Sequence, residues 1–295
     1  MDESRWTVKA FSAFPCSKAG PAIQSTYMRN KLTNELAVCG YNAAKALADN
    51  HPERINRLFL REELLDDFNK ACKYLARVKK PYKFCEDEEL ERLCKSPRHQ
   101  GVVIMMEEPE VPSLTEDDLA KWADSGQKVL FLDSVGNDNN LGAIVRSAAF
   151  FGISHIVLSE EDGEARLTTS AYRVAEGGME WVDFRVVFDV PAFLRAASQE
   201  MVVVGADHRA RNRLKELPAL ILDARTKMFG AASASRGLGR SVGVIVVLGN
   251  EERGLSPEVK SACPLLVRIP GSGDVESLNV AQAATLFMHE LLEAK

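Results

Sequence analysis

The strongest constraint on the fold is a series of short apolar segments beyond Lys128, which alternate with turns and helical patterns. The spacing of apolar residues predicts helices over 141–151 and 278–292. Short apolar strands that alternate with helices are typical of a parallel sheet covered on both faces. The sequence therefore predicts an α/β domain over residues 128–295. Its strands are predicted at 129–132, 155–158, 184–188, 201–204, 243–248 and 266–269.

A smaller α/β domain is predicted over residues 35–107. Its helices are expected at 41–47, 62–76 and 86–94, and its strands at 55–60 and 102–106. Residues 1–34 show no sustained periodicity and are expected to form a partly ordered extension. Residues 108–127 hold two prolines and several acids, which indicates a linker. Within it, Thr115 and Asp118 have the spacing of a helix cap.

Composition excludes several classes of protein. The chain of 295 residues is 46% hydrophobic and 27% charged, which is typical of a soluble globular protein. Its apolar runs are too short to span a bilayer, and the first ten residues lack the apolar stretch of a secretory signal. The six cysteines form no C-x-x-C pair. We therefore expect free thiols in a reducing cytoplasm, with neither disulfides nor a metal site.

The charge is unevenly distributed. The net charge of -5 argues against a protein that coats nucleic acid nonspecifically. Residues 1–107 hold 18 basic and 15 acidic residues, about +3, which leaves 19 basic and 27 acidic residues, about -8, for the remainder. A polyanion is therefore expected to meet the N-terminal part, or a few arginines placed in a site.

The first segment with candidate chemistry is 132–149, where a predicted strand leads through a polar turn into a helix. Asn140 is a good N-cap for a helix that begins near it. Arg146 follows six residues later among alanine, isoleucine and valine. Its charge needs a partner, so two interpretations remain open: a buried structural ion pair, or a clamp on a phosphate or carboxylate.

The second segment, 246–256, places a polar turn bounded by Gly249 and Gly254 directly after a buried strand. Ligands of open α/β sheets lie beyond the carboxyl ends of the strands, and glycine permits close approach of the backbone. An ordinary tight turn remains the alternative. Neither a P-loop nor a proper G-x-G-x-x-G fingerprint is present.

The third segment, 267–281, runs from a predicted strand through Pro270 and Gly271 into a helix that is expected to begin near Ser277. Ser277 has the chemistry of an N-cap. Asn279 would then lie in the first turn, with its amide available to a ligand. Taken separately, these two residues favour capping.

Together the three segments resemble the SpoU family of RNA 2′-O-ribose methyltransferases, the TrmH-like branch of the SPOUT superfamily. The motifs are Asn140-Leu-Gly-Ala-Ile-x-Arg146, Leu248-Gly-x-Glu251-x-x-Gly254, and Ile269-Pro270 followed by Ser277-Leu278-Asn279-Val280. The resemblance covers residues 128–295. Segments 39–44 and 99–103 also resemble the family's RNA-substrate-binding domain.

The resemblance implies a C-terminal trefoil knot, a homodimer formed through the methyltransferase domain, and a structured RNA substrate, either tRNA or rRNA. S-adenosylmethionine would be bound largely by backbone around Gly249, Ile269 and Leu278, with Asn250 and Gly254 in the same loops. The positions that match the family's functional polar residues are Asn140, Arg146, Glu251, Ser277 and Asn279. RNA contacts are expected from Arg146, His99 and Gln100, and also from Arg209 and Arg211, for which a solvated face is the alternative.

Two departures from the family pattern bear on activity. Asn137 and Asp138 stand where the family usually has Asp-Pro, and residues 175–178 read Ala-Glu-Gly-Gly, which removes a hydroxyl and adds Glu176. They keep a second hypothesis open, a catalytically weak SpoU-like protein that binds structured RNA. An oxidoreductase is disfavoured because the dinucleotide fingerprint is absent.

Overall fold

A computed structural model describes residues 35–160, 167–229 and 242–293. The described chain contains a four-stranded and a seven-stranded sheet. The predicted extension at 1–34 and a Gly- and Ser-rich loop predicted at 232–241 lie outside the described residues.

The smaller sheet has the strand order β1-β4-β2-β3. Strand β4 pairs antiparallel with β1 and β2, while β3 adds to β2 in parallel. The sequence analysis did not predict β1 or β3. Strand β3 has only three residues, all exposed, so it carries no burial pattern. The elements are β1 (Glu35–Cys39), α1 (Tyr41–Asn50), β2 (Ile55–Leu60), α2 (Leu65–Arg77), β3 (Tyr82–Phe84), α3 (Asp87–Cys94) and β4 (Val102–Glu107).

The segment between the sheets contains α4 (Glu116–Ser125). Thr115 and Asp118 form the capping box that their spacing predicts, because each side chain accepts a hydrogen bond from the other's backbone N–H. The segment also borders the larger sheet, where the Leu114 N–H donates to the Val186 carbonyl at 2.9 Å.

The larger sheet is parallel throughout, which confirms the predicted class. Its order is β7-β6-β5-β10-β8-β11-β9. Its strands are β5 (Lys128–Leu132), β6 (His155–Ser159), β7 (Asp183–Val187), β8 (Val202–Ala206), β9 (Asn212–Arg213), β10 (Val244–Leu248) and β11 (Leu265–Arg268). Its helices are α5 (Asp138–Phe151), α6 (Thr169–Ala175), α7 (Val190–Glu200), α8 (Leu217–Phe229), α9 (Pro257–Ala262) and α10 (Val280–Glu293).

Both faces of this sheet are covered. Leu130 and Leu132 of β5 join a core with α5 and α10, whereas Val129 and Phe131 of the same strand join a second core with α7 and α9. Alternate residues of one strand thus enter opposite cores, which explains the unbroken apolar runs in the sequence. Strand order does not define how the chain is threaded, so the trefoil knot stays a prediction.

Two predicted helix starts are wrong. Helix α5 begins at Asp138, and its cap is Asn137, whose Oδ1 accepts hydrogen bonds from the N–H groups of Asn139 and Asn140. Helix α10 begins at Val280, three residues after Ser277. Both start regions contain several residues that suit a cap, so propensity alone did not identify the correct one.

The small domain docks onto the larger α/β domain through a buried carboxylate. Glu180 is 1% exposed in its side chain, and its Oε2 accepts a hydrogen bond from Arg54 Nη1 at 2.9 Å. Arg54 Nη2 also donates to the Tyr172 hydroxyl at 3.1 Å. Burial raises the pKa of Glu180, and Arg54 opposes that shift. Arg54 therefore compensates a charge that the interface excludes from water.

We expect Arg54→Met to lower the free energy of unfolding by about 3 kcal/mol at pH 8, because it leaves Glu180 buried without its cation. The pKa of Glu180 is already raised above its ordinary 4.5, so loss of Arg54 raises it further. The cost is therefore greatest above this raised pKa and shrinks as pH falls toward 4.5. Urea unfolding between pH 5 and 8 measures it.

The matched control is Arg61→Met, which removes an exposed arginine paired with Asp87 and Glu63. It should cost below about 1 kcal/mol. A loss for Arg54→Met that is equally small, or that does not vary with pH, would contradict the burial argument.

Candidate active site at the carboxyl edge of the parallel sheet

The three candidate segments leave the sheet at the same edge. Strands β5 and β10 are neighbours, and the loops after them are joined because the Asp133 N–H donates to the Leu248 carbonyl at 2.8 Å. Asn250 Nδ2 donates to the Ser134 carbonyl, also at 2.8 Å. Two loops distant in sequence thus form one surface beyond the strands, where parallel sheets bind ligands.

The loop after β10 is a closed turn. Asn250 Oδ1 accepts hydrogen bonds from the N–H groups of Glu252 and Arg253, and its carbonyl accepts one from Gly254. A Cβ built on Gly249 would lie 2.4 Å from the Gly254 carbonyl carbon, so this position admits only glycine. Asn250 and Gly254, predicted to bind a cofactor, therefore maintain the shape of the loop.

A polar network connects the three segments. Asn140 Nδ2 donates to Glu251 Oε1 at 2.7 Å, and Asn140 Oδ1 accepts from Asn279 Nδ2 at 3.0 Å. Asn279 Oδ1 accepts from the Ala281 N–H at 2.9 Å, at the start of α10. Three of the five predicted catalytic residues are thus joined by direct hydrogen bonds.

The chemistry of this network fixes the orientation of both amides. A backbone N–H only donates, so Asn279 must present its oxygen to Ala281 and its nitrogen to Asn140. Asn140 then presents its nitrogen to Glu251, which suits an ionised carboxylate. Asn140 thereby holds Oε1 of Glu251 and leaves Oε2 without a partner in the network.

Ser277 is exposed and lies outside this network. Leu278 is 48% exposed and Ile269 is half-buried. Among the described residues, none between 270 and 278 forms a backbone–backbone hydrogen bond. Apolar side chains beside backbone groups that form no backbone–backbone hydrogen bond suit an adenosine group, which has an apolar ring and a polar edge. The residues present therefore fit S-adenosylmethionine.

Arg146 is exposed and forms no ion pair within the described part of the chain. The buried ion pair considered from the sequence is therefore wrong, and the guanidinium is available to a ligand. Each helical residue advances by about 100°, so Arg146 lies about 120° around α5 from Asn140. The structure thus does not bring Arg146 into the network of Asn140, Glu251 and Asn279.

The predicted RNA contacts fall into two groups. His99 is 5% exposed and its Nδ1 accepts the Gly101 N–H, so its ring stabilises a turn. Gln100 is exposed, and its Oε1 accepts the Tyr41 N–H at the start of α1. Arg209 and Arg211 are exposed after β8, at the same edge of the sheet as the network.

Glu176, which departs from the family pattern, lies at the contact between the two domains. Its Oε2 accepts a hydrogen bond from Asn42 Nδ2 of α1 at 2.7 Å. The following residue, Gly177, is so close to α1 that a Cβ there would meet the Ala46 Cβ at 2.8 Å. The added carboxylate therefore takes part in the contact between the two domains.

The sequence analysis missed Ser134, whose backbone groups hold the loops after β5 and β10 together. The Ser134 carbonyl binds Asn250, and Ser134 has a φ of 55°. Its N–H donates to Ser159 Oγ at 2.8 Å. A serine in the left-handed region has no clear sequence signal, so only the assembled loops reveal this anchor.

Comparisons with known proteins agree with this geometry. The model of the SpoU rRNA methylase family matches residues 127–289, and that of RNA 2′-O ribose methyltransferase substrate binding matches residues 37–112. A 23S rRNA (guanosine-2′-O-)-methyltransferase, RlmB, from Acinetobacter baylyi is 30% identical over 257 residues, 85% of this chain and 94% of the relative. An uncharacterised tRNA/rRNA methyltransferase, YfiF, from Escherichia coli O157:H7 is 27% identical over 91% of this chain and 71% of the relative.

Solved structures show the same fold. The SpoU methyltransferase AviRb from Streptomyces viridochromogenes, in complex with AdoMet, superposes with a TM-score of 0.64 at 22% identity, covering 90% of this chain and 94% of that one. An AdoMet-bound rRNA methyltransferase from Sinorhizobium meliloti gives 0.65 at 21% identity, with 89% and 88% covered.

This chain belongs to the SpoU methylase family. It is an RNA 2′-O-ribose methyltransferase that uses S-adenosylmethionine, with an N-terminal domain for RNA substrate binding. Within the described residues, no helix is long and apolar enough to cross a membrane, and no cluster of side chains is suited to hold a metal ion.

Proposed function

We propose that this enzyme methylates the ribose 2′-hydroxyl of a guanosine in 23S rRNA. The support is the relative of that activity from Acinetobacter baylyi, which matches 94% of its own length, and a second from Bordetella pertussis at 28% identity over 86% of this chain. The cytoplasmic location predicted from the sequence stays a prediction.

One observation supports catalytic activity over RNA binding without turnover. It is the hydrogen-bonded network of Glu251, Asn140 and Asn279. A ribose hydroxyl is a poor nucleophile at neutral pH and needs a group that accepts its proton. S-adenosylmethionine, when bound, supplies an electrophilic methyl group. Glu251 is the acceptor we propose, because Asn140 fixes one of its oxygens and leaves the other to the hydroxyl.

Arg146 would bind the phosphate next to the reacting ribose and stabilise negative charge that develops on the oxygen. A guanidinium stays protonated, which excludes it as the base, but its planar fork suits a phosphate. An arginine that forms no ion pair with the described residues can make these contacts without breaking one there.

We also propose a homodimer through α5 and α10. Phe150 is 84% exposed, and it contacts Phe151, whose ring contacts His289 of α10. Leu286 is 41% exposed nearby on α10. Exposed apolar side chains on two neighbouring helices are typical of a protein interface. Arg146 lies one turn before Phe150, so this dimer would bring Arg146 to the partner's network.

We expect Phe150→Asp to convert the dimer to a monomer, because it places a charge in the centre of the apolar surface. Sedimentation velocity measures the change, and Phe188→Asp is the control, since Phe188 is 62% exposed and follows the edge strand β7, outside α5 and α10. A monomeric wild-type enzyme, or a dimer that survives Phe150→Asp, would contradict this interface.

The substrate is tested with separated 23S rRNA, 16S rRNA and tRNA from cells that lack the gene. Each fraction is incubated with the enzyme and labelled S-adenosylmethionine. Label confined to 23S rRNA supports the proposal. Label confined to tRNA would favour the other substrate class that the sequence left open. S-adenosylmethionine binding with no transfer to any fraction would favour the catalytically weak RNA-binding protein.

A further inference from the structure

A basic surface lies in the small domain, outside the three segments that form the candidate active site. Residues 68–85 hold six lysine and arginine residues and no acidic residue, in a chain with a net charge of -5. They form most of α2, a turn and the edge strand β3. Acidic segments flank them on both sides, at 62–67 and 86–91. The positive charge is therefore confined to one part of the surface.

Three of these cations share the outer face of α2. Lys70, Lys73 and Arg77 are spaced by three and four residues, which places them side by side on a helix. All three are exposed, and none forms an ion pair with any residue that the structure describes. The opposite face of α2 is buried in the domain core through Phe68, Ala71, Cys72 and Leu75.

Two exposed aromatic rings stand on the adjacent strand. Tyr82 and Phe84 of β3 are 41% and 42% exposed, and their rings form an edge contact with centroids 6.3 Å apart. The turn before them is fixed, because Lys80 Nζ donates to the carbonyls of Glu53 at 3.0 Å and Ile55 at 2.6 Å. The rings are thus held at the surface by a rigid support.

Arg77 stacks on the Tyr74 ring, with its Cζ 5.3 Å from the centroid, but none of the three cations is neutralised by a described carboxylate. Such cations on a helix that leads into a strand with exposed rings match the chemistry of single-stranded RNA. Phosphates pair with lysine and arginine, and unstacked bases stack on aromatic faces. A duplex offers its phosphates but not its base faces, so it would leave the two rings unused. A protein partner would instead be expected to bury apolar residues with fewer unpaired cations.

We propose that this surface, Lys70, Lys73, Arg77, Tyr82 and Phe84, binds a single-stranded RNA segment that is continuous with the methylated nucleotide. The inference rests on the proposed function and extends it, since it assigns the substrate-binding domain a particular contact surface and a single-stranded segment as its partner. A second contact distant from the reacting ribose would select RNA by the position of a flanking single strand.

Binding of a labelled 12-nucleotide oligouridylate and of 23S rRNA to the full-length enzyme tests the proposal, without S-adenosylmethionine and over a series of salt concentrations. The charge variant is Lys70→Ala/Lys73→Ala/Arg77→Ala. Its control, Lys121→Ala/Arg195→Ala/Lys227→Ala, removes the same charge from exposed helix positions of the other part of the chain. Thermal unfolding verifies that both variants are folded.

The charge variant should bind both RNAs about tenfold more weakly than the control, with a salt slope smaller by about 2, since each phosphate contact to a single strand contributes about 0.7. Tyr82→Ala/Phe84→Ala should weaken binding with an unchanged slope, because stacking releases no counterions. A 12-base-pair RNA duplex should compete poorly.

Affinities and slopes equal to the control, together with normal methyl transfer by the same preparations, would overturn this inference and leave the proposed function intact. Equal competition by the duplex would overturn the single-stranded assignment. A wild-type enzyme that neither binds nor methylates RNA would overturn both proposals.

Discussion

Arg146→Ala should lower kcat/KM for methyl transfer by about 10³-fold while leaving S-adenosylmethionine affinity and folding stability unchanged. The stability of the fold should not depend on Arg146, because the side chain is exposed and forms no ion pair within the described residues. The loss should instead come from the RNA phosphate and the developing negative charge that Arg146 would contact. Single-turnover methyl transfer and calorimetric titration of S-adenosylmethionine measure the two quantities.

Two comparisons sharpen this result. Arg195→Ala, an exposed arginine on α7, should change neither quantity. Arg146→Lys should retain the charge but lose the bidentate fork, and should remain at least about tenfold impaired. Near-full activity of Arg146→Lys would contradict the clamp.

The proposed dimer adds a complementation test. If Arg146 serves the partner's network, mixed dimers of Arg146→Ala and Glu251→Gln chains contain one site with both residues intact. Activity should then reappear on mixing, although each variant alone is inactive. An inactive mixture whose dimers are shown to have exchanged would place Arg146 and Glu251 of one chain in the same site.

Asn140→Asp should reduce methyl transfer by about 10²-fold or more at pH 7. The substitution places a carboxylate oxygen where Asn140 Nδ2 now donates to Glu251 at 2.7 Å. Two carboxylates at this distance share a proton, so the pair ionises fully only at higher pH. Glu251 would lose its capacity as acceptor near neutrality, and activity should partly recover as pH rises. A pH–rate profile measures both effects.

Asn139→Asp is the matched control, since Asn139 is the exposed neighbour of Asn140 and its side chain lies outside the network. It should retain wild-type activity and pH dependence. An Asn140→Asp enzyme with normal activity at pH 7 would show that the network does not hold the proton acceptor.

Sequence patterns were most informative where burial alternates regularly. The strands that enter both cores were predicted to within one or two residues, because their apolar runs require cover on both faces. The three chemical segments were also correctly placed at one edge, since parallel strands end there. Short exposed elements such as β3 had no comparable signal.

The site was predicted only in part, because its assembly depends on contacts between distant residues. Asn140, Glu251 and Asn279 meet as expected. The residues that cap the helices differ from those predicted, because Asn137 caps α5 and Asn279 accepts the Ala281 N–H at the start of α10. The burial of the His99 ring was not foreseen, because it depends on a turn that local sequence does not reveal, and its RNA contact stays a prediction. Glu176 suggested a damaged site but docks one domain onto the other.

The most direct test of the central claim is the position of the transferred methyl group. RNA labelled by the enzyme is hydrolysed with alkali, which cuts after every ribose with a free 2′-hydroxyl. A 2′-O-methyl product places all the label in one alkali-resistant dinucleotide, and Glu251→Gln or Arg146→Ala should abolish that signal. Label released as a mononucleotide would show base methylation and would contradict the account of this site.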